Sequence, residues 1–125
     1  MRLLLIFLAM LWVVPARAQA PDLFIGNGYL KACTETEPIH RAVCTQYTLG
    51  MTEMLLALEA AHFVKPLFCA PDQVTGNQKR DILVKFLKDN PAIRHAATPR
   101  LLIVALQQAY PCPPDRALPP ANKRM

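Results

Sequence analysis

"TGNQKRDILVKFLKDNPAIRHAATPRLLIVALQQAYPC", residues 75–112, reads as two helices joined by a short loop. Thr75 and Gln78 form the T-x-x-Q pattern of a capping box, in which each side chain satisfies a backbone N–H left free at a helix start. Behind them, Ile82/Phe86 and Leu83/Leu87 are i,i+4 pairs, and the pattern stops before Pro91. The segment 90–97, "NPAIRHAA", is a connecting loop. Thr98 is the expected N-cap of the next helix, with Pro99 at its first position. "RLLIVALQQAY" then continues as the most apolar helix of the chain, and prolines at 111, 113 and 114 end it.

Working toward the N-terminus, no proline interrupts residues 39–62, and apolar residues recur at Val43, Tyr47, Met51, Met54, Leu55 and Leu58. Spacings of three and four predict an amphipathic helix of about six turns, with Met51 and Met54 on its core-facing stripe. "NGYLKAC" predicts a short first helix from Asn27 to Cys33, broken by "TETEP", and residues 19–26 read as an unstructured lead-in. Residues 113–125 form a polar, proline-rich tail with too little apolar surface to order itself. Nothing alternates with period two, so the expected fold is all-α: a bundle of about four helices spanning 19–112.

The compartment follows from the first eighteen residues. Met1 and Arg2 precede twelve apolar residues, then Pro15 and Ala16-Arg17-Ala18. That is a signal peptide with an apolar core too short to span a bilayer, so residues 1–18 are expected to be removed, with Ala20 the alternative cleavage point. The predicted location is the periplasm, with no membrane attachment after cleavage. The chain carries 14 basic and 9 acidic side chains. Losing Arg2 and Arg17 leaves 12 against 9, a net charge of about +3. Lys79, Arg80, Lys85, Lys88, Arg94 and Arg100 concentrate the positive charge, which reads first as a solvated helix face and second as a face steering toward an acidic partner. No aromatics interleave with it, so nucleic acid is not an expected partner.

All four cysteines, Cys33, Cys44, Cys69 and Cys112, lie after the signal peptide. An even count in a small exported domain points to two disulfides. Short connections make consecutive helices antiparallel, which places Cys33 beside Cys44 and Cys69 beside Cys112, the pairing preferred over the other two connectivities. Closing loops of roughly 11 and 43 residues stabilises on the order of 3 and 4 kcal/mol.

Catalytic constellations are sparse. The chain contains no serine, which excludes a Ser-His-Asp triad. Cys44 with His40 is a conceivable nucleophile and base, but that use needs a reduced cysteine in an oxidising compartment; Cys33, His40 and Cys44 are conceivable zinc ligands, but there is no C-x-x-C pair and no fourth ligand at finger-like spacing. His62 and His95 read as surface or helix-end residues. "GNG" at 26–28 follows no strand and lacks the context of a phosphate loop. A binding protein without cofactor or metal, and not an enzyme, is the expectation.

In order, "NGYLKAC", "CTQYTLGMTEML" and "FCAPDQVTGNQKRDILVKFLKDNPAIRHAATPRLLIVALQQAYPC" carry a first cysteine, a C-x-x-Y-x-x-G helix start, an F-C-x-P loop, a Q-x(4)-L-x-K-x-L helix and a terminal aromatic-Pro-Cys. This order resembles the Rap/Tai family of exported immunity proteins associated with type VI secretion, over about residues 26–112. The chain departs from it at Gln46 and Glu53, where a glycine and an aspartate would be expected. The resemblance implies a periplasmic helical homodimer that binds a peptidoglycan amidase and blocks its cysteine-dependent active site. The expected contacts are Lys85, Lys88, Arg94 and His95, with loop 63–74 or 90–97 inserted. A general periplasmic chaperone or adaptor is the other class to weigh.

Overall fold

The computed structural model describes residues 21–114. The expected signal peptide and tail residues 115–125 lie outside the described residues. Four α-helices follow in order: α1 (Gly26–Thr34), α2 (Pro38–Ala60), α3 (Gly76–Asp89) and α4 (Thr98–Ala109), with a 3-10 turn at Pro91–Ile93 before the last. Among the described residues there is no strand, only an isolated antiparallel bridge between Ile25 and Ala97. The all-α bundle expected from the sequence is the fold.

Local chemistry explains most helix ends. Thr75 Oγ1 accepts from the Gln78 backbone N–H and Gln78 Oε1 accepts from the Thr75 N–H, completing the capping box of α3. Pro38 does not merely interrupt the chain but opens α2, because its fixed φ and missing N–H suit a first helical turn. The far end of α2 closes with His62 in the left-handed region at φ 61°. The Phe63 N–H reaches back to Leu58 O and the His62 N–H to Glu59 O, a Schellman-type ending that normally takes glycine. Thr98 differs from the sequence expectation. It is the first helical residue rather than the cap, its N–H donates to Phe24 O at 2.7 Å, and its buried hydroxyl finds no partner.

The core is built around α3, which packs on α1, α2 and α4. Tyr29, Leu83, Leu87, Leu102 and Leu106 are completely buried. Both disulfides have the expected connectivity. Cys33–Cys44 clamps α1 to the second turn of α2 with a Cα separation of 5.7 Å, and Cys69–Cys112 joins the loop after α2 to the end of α4 at 4.9 Å. Cys69 lies nine residues past Ala60 rather than just beyond the helix end, so residues 61–68 must return to the bundle first, and buried Phe68 anchors that return.

Three sequence expectations are overturned by packing. Residues 21–26 are not a free lead-in. Gly26 N–H donates to Ala96 O at 3.1 Å and Asn27 N–H to Arg94 O at 2.9 Å, docking the segment on the α3–α4 loop. The basic stretch is not one solvated face, since Lys79 and Arg80 are only 6% and 7% exposed. Arg80 Nη1 donates to Thr45 Oγ1 and Asn77 Oδ1, while Nε and Nη2 donate to Asp81 Oδ1, so this guanidinium ties α3 to α2. Finally, Met54 is 61% exposed and leaves the core stripe, although Met51 packs against the core.

Candidate partner-binding site

The α3–α4 loop, residues 90–97, has little regular structure but few free backbone groups. Asn90 ends α3 by donating both its N–H and its side-chain amide to Phe86 O. Ile93 N–H donates to Asn90 O and Ala96 N–H to Ile93 O. From below, the Arg94 guanidinium donates to Leu87 O through Nε and to Lys88 O through Nη2 at 3.0 Å. A cation on the last carbonyls of α3 meets the negative end of the helix dipole as well as two unpaired acceptors. From the side, the Ile25–Ala97 bridge and the bonds from Gly26 and Asn27 hold the loop against the start of α1.

Glycine makes that last contact possible. A Cβ on Gly26 would stand 2.6 Å from Leu101 Cδ1 and 2.8 Å from Arg94 O, both closer than side-chain carbons approach. The "GNG" motif is therefore a close-packing device between α1 and the loop. The phosphate reading, already unsupported by its context, is replaced by a structural one.

What the braced loop presents outward is Pro91, Ala92, Ile93 and His95. Lys85 and Lys88 are exposed one turn apart on α3, with Lys85 Nζ 2.6 Å from Asp89 Oδ2. Of the four residues singled out from the sequence, Lys85, Lys88 and His95 are thus on the surface, whereas Arg94 is half-buried with its guanidinium spent on the backbone. Ile93, 37% exposed at the loop crest, was not singled out; its only signal was being the one large aliphatic residue of the loop 90–97.

A second surface lies between α2 and α4. Both helices pack on α3 but hardly on each other, which leaves an apolar groove of about 490 Å³ walled by Tyr47, Gly50, Met51, Met54 and Leu55 on one side and Pro99, Leu102 and Ile103 on the other. Met54 at the groove's edge, Leu56 further along α2, and Phe63 and Val64 just past the helix end are exposed to solvent. A smaller polar cleft holds Asp22, Lys31, Glu35 and His40, in which His40 Nδ1 contacts Glu35.

Reactive groups are few among the described residues. All four sulfurs are in disulfides, so no thiol remains as nucleophile or zinc ligand. No group of three or more His, Cys, Asp or Glu residues is placed to hold a metal ion. Burial pushes the Tyr29 hydroxyl up to about 12, opposed in part by its hydrogen bond with Thr48, so it stays a neutral core group. Tyr47 is raised too, by desolvation first and the Asp22 charge second. No described helix is long and apolar enough to cross a membrane.

A rigid, disulfide-stapled helical scaffold presenting one braced loop and one apolar groove defines a small binding protein. Comparison with known families is consistent with that class: the chain belongs to the Rap1a immunity proteins, matched over residues 25–112. The match includes all four helices, both disulfides and the loop. It is a family of immunity proteins rather than of enzymes, whose role entails binding a protein effector. No curated protein and no solved structure matches the chain.

Proposed function

We propose that the protein is a periplasmic immunity protein that binds a peptidoglycan amidase delivered by type VI secretion and occludes its active site with the loop 90–97, assisted by Lys85 and Lys88 on α3. The observation that carries this reading is the bracing of the loop against both α3 and the start of α1 while Ile93 and His95 are exposed. An inhibitor gains affinity when its inserting segment is already ordered, because little conformational entropy is then lost on binding. Membership of an immunity family supplies the class of partner, and the signal-peptide pattern of residues 1–18 supplies the compartment in which it meets peptidoglycan-cleaving enzymes.

The test is titration of a cognate exported amidase with the purified protein. Activity should fall to zero at one equivalent per active site, with a complex seen by calorimetry. Activity that persists at several-fold excess, with no heat of binding, sinks the proposal for that enzyme. Periplasmic fractionation and N-terminal sequencing beginning at Gln19 test the location. The resemblance also implies a two-fold dimer, and a small chain gains buried apolar area by pairing. Light scattering at micromolar concentration decides that.

One observation favours a second reading. The solvent-facing Met54, Leu56, Phe63 and Val64 are the kind of adaptable apolar surface a chaperone uses. Suppression of aggregation of several unrelated clients, abolished by Met54→Glu, would favour that role over inhibition.

A further inference from the structure

The apolar groove between α2 and α4 and the exposed end of α2 lie along one helix. We propose that two copies of the chain meet there, their α2 helices antiparallel about a two-fold axis near Leu55 and Leu56, with Phe63 of each copy seated in the groove of the other. The two-fold dimer considered above thereby gains a face, whatever the loop 90–97 binds.

From Met54 to Phe63 the chain reads "MLLALEAAHF", with Glu59 the one carboxylate. A helix apolar on every side is normally a buried one. Yet Gly50, Met54, Ala57 and Ala61 are all exposed, at spacings of four, three and four that set them in one stripe along α2. No charge lies on that stripe, so two copies can meet along it without burying one. Gly50 points the same way. Glycine inside a helix is unfavourable, and a Cβ at this position would meet nothing within 4 Å in its own chain. A single copy has no steric need of the glycine, whereas the close approach of a second backbone has.

The same helix carries both a knob and its socket. Phe63 is 78% exposed, and its N–H bond to Leu58 O turns it back beside the last turn of α2. Leu58 stands four residues from Met54 and seven from Met51, on the groove side of the helix. With Gly50 set against Ala61 of the second copy and Met54 against Ala57, Phe63 comes level with Thr48, between Tyr47 and Gly50 on the groove wall. The two-fold repeats the contact, so both rings are covered and both grooves filled together. An unrelated partner in the groove would leave Phe63 in solvent. Two rings exposing about 150 Å² each supply about a fifth of the roughly 1,600 Å² that a stable pair buries. Helix against helix over the run of about 27 Å from Gln46 to Val64 must supply the rest.

The experiment is sedimentation equilibrium of the full chain, of Ala57→Arg and of Gly50→Ala, from micromolar to millimolar concentration. The unaltered chain should sediment as two copies. Ala57→Arg should sediment as one with its helicity unchanged, because Ala57 is exposed in the single chain. Gly50→Ala should gain helicity yet pair about tenfold more weakly, the added methyl standing between the two backbones. In the pair, the Met51 and Met54 methyl resonances should carry a ring-current shift that disappears in Phe63→Leu. A single chain at every concentration overturns the proposal together with the dimer. Unchanged affinity in both variants puts the pairing on another face and overturns the proposal while the dimer stands. Methyl shifts that arise only on adding a different protein give the groove to that partner and overturn it too.

Discussion

The loop 90–97 and the distal half of α2 are opposites. The loop lacks regular structure beyond a single turn, yet its backbone is tied to α3 through Arg94 and Asn90 and to α1 through Gly26 and Asn27. The distal half of α2 is regular helix to Ala60, yet Met54 and Leu56 are exposed, as is Phe63 just past its end. Backbone order and side-chain burial are therefore separate properties. A segment can be rigid without being helical, and helical without being covered. The first arrangement suits insertion into a partner; the second leaves an adhesive surface that needs an occupant.

The largest expected effect comes from releasing the return of the chain after α2. Replacing Cys69 and Cys112 together by alanine removes a 43-residue closure and should cost on the order of 4 kcal/mol. Urea unfolding measures it, and a loss below about 1 kcal/mol would mean that Phe68 and the Cys69–Tyr110 backbone bond hold the return by themselves.

The buried contact between α1 and the covered half of α2, which the distal half lacks, can be probed by alkaline titration. Tyr29, bonded to Thr48 and completely buried, has its hydroxyl raised from 10 to about 12. Its neutral form is favoured by folding, so the contribution is fully present below pH 10 and disappears as the unfolded chain ionises between pH 10 and 12. Stability should fall by roughly 2 to 3 kcal/mol across that window, and Tyr29→Phe should flatten this part of the profile. An equal slope in the variant would assign the loss to other groups.

On the loop side, Arg94→Ala leaves the Leu87 and Lys88 carbonyls without their charged donor. A destabilisation of about 2 kcal/mol is expected, together with faster amide exchange at Ile93 and Ala96. Exchange that stays slow at both amides would show that the α1 contacts alone hold the loop. If the loop is the element inserted into a protein effector, the same change should raise the dissociation rate indirectly, by loosening the loop, because the Arg94 guanidinium faces the backbone.

Smaller effects probe the exposed groups. His62→Gly relieves a left-handed residue and should stabilise by about 0.5 to 1 kcal/mol. A decrease in melting temperature would contradict this reading of the α2 terminus. Lys85→Glu with Lys88→Glu should change stability by no more than about 0.5 kcal/mol, since both lie on the surface and an exposed pair such as Lys85–Asp89 contributes little. Their expected signature is slower association with the partner and a weaker salt dependence, read by stopped flow.

The sequence carried the helices because their signals are local. The capping box at Thr75, the i,i+4 pairs of α3 and the prolines that open or close each helix act within a few residues, and the cysteine pairing needed only helix order and short loops. Thr98 was misread by one position because its N–H is claimed by Phe24, a residue 74 places earlier in the chain. Of the candidate site, the loop and the exposure of its neighbouring lysines were legible in the sequence; that the Arg94 guanidinium donates to the last carbonyls of α3 was not, because those acceptors are presented only once the loop folds back under the helix end.

By itself, then, the sequence determined the fold class, the disulfide framework and the family, each set by spacing along the chain. Tertiary structure alone decided that residues 24–27 clasp the loop, that Lys79 and Arg80 go inward, and that Met54 stays outside. Periodicity tells which side of a helix is apolar, but not whether another element faces it. Long basic side chains can bury their stems wherever a neighbour offers apolar surface and acceptors. Those neighbours are set by packing between residues far apart in the chain, and no local pattern encodes them.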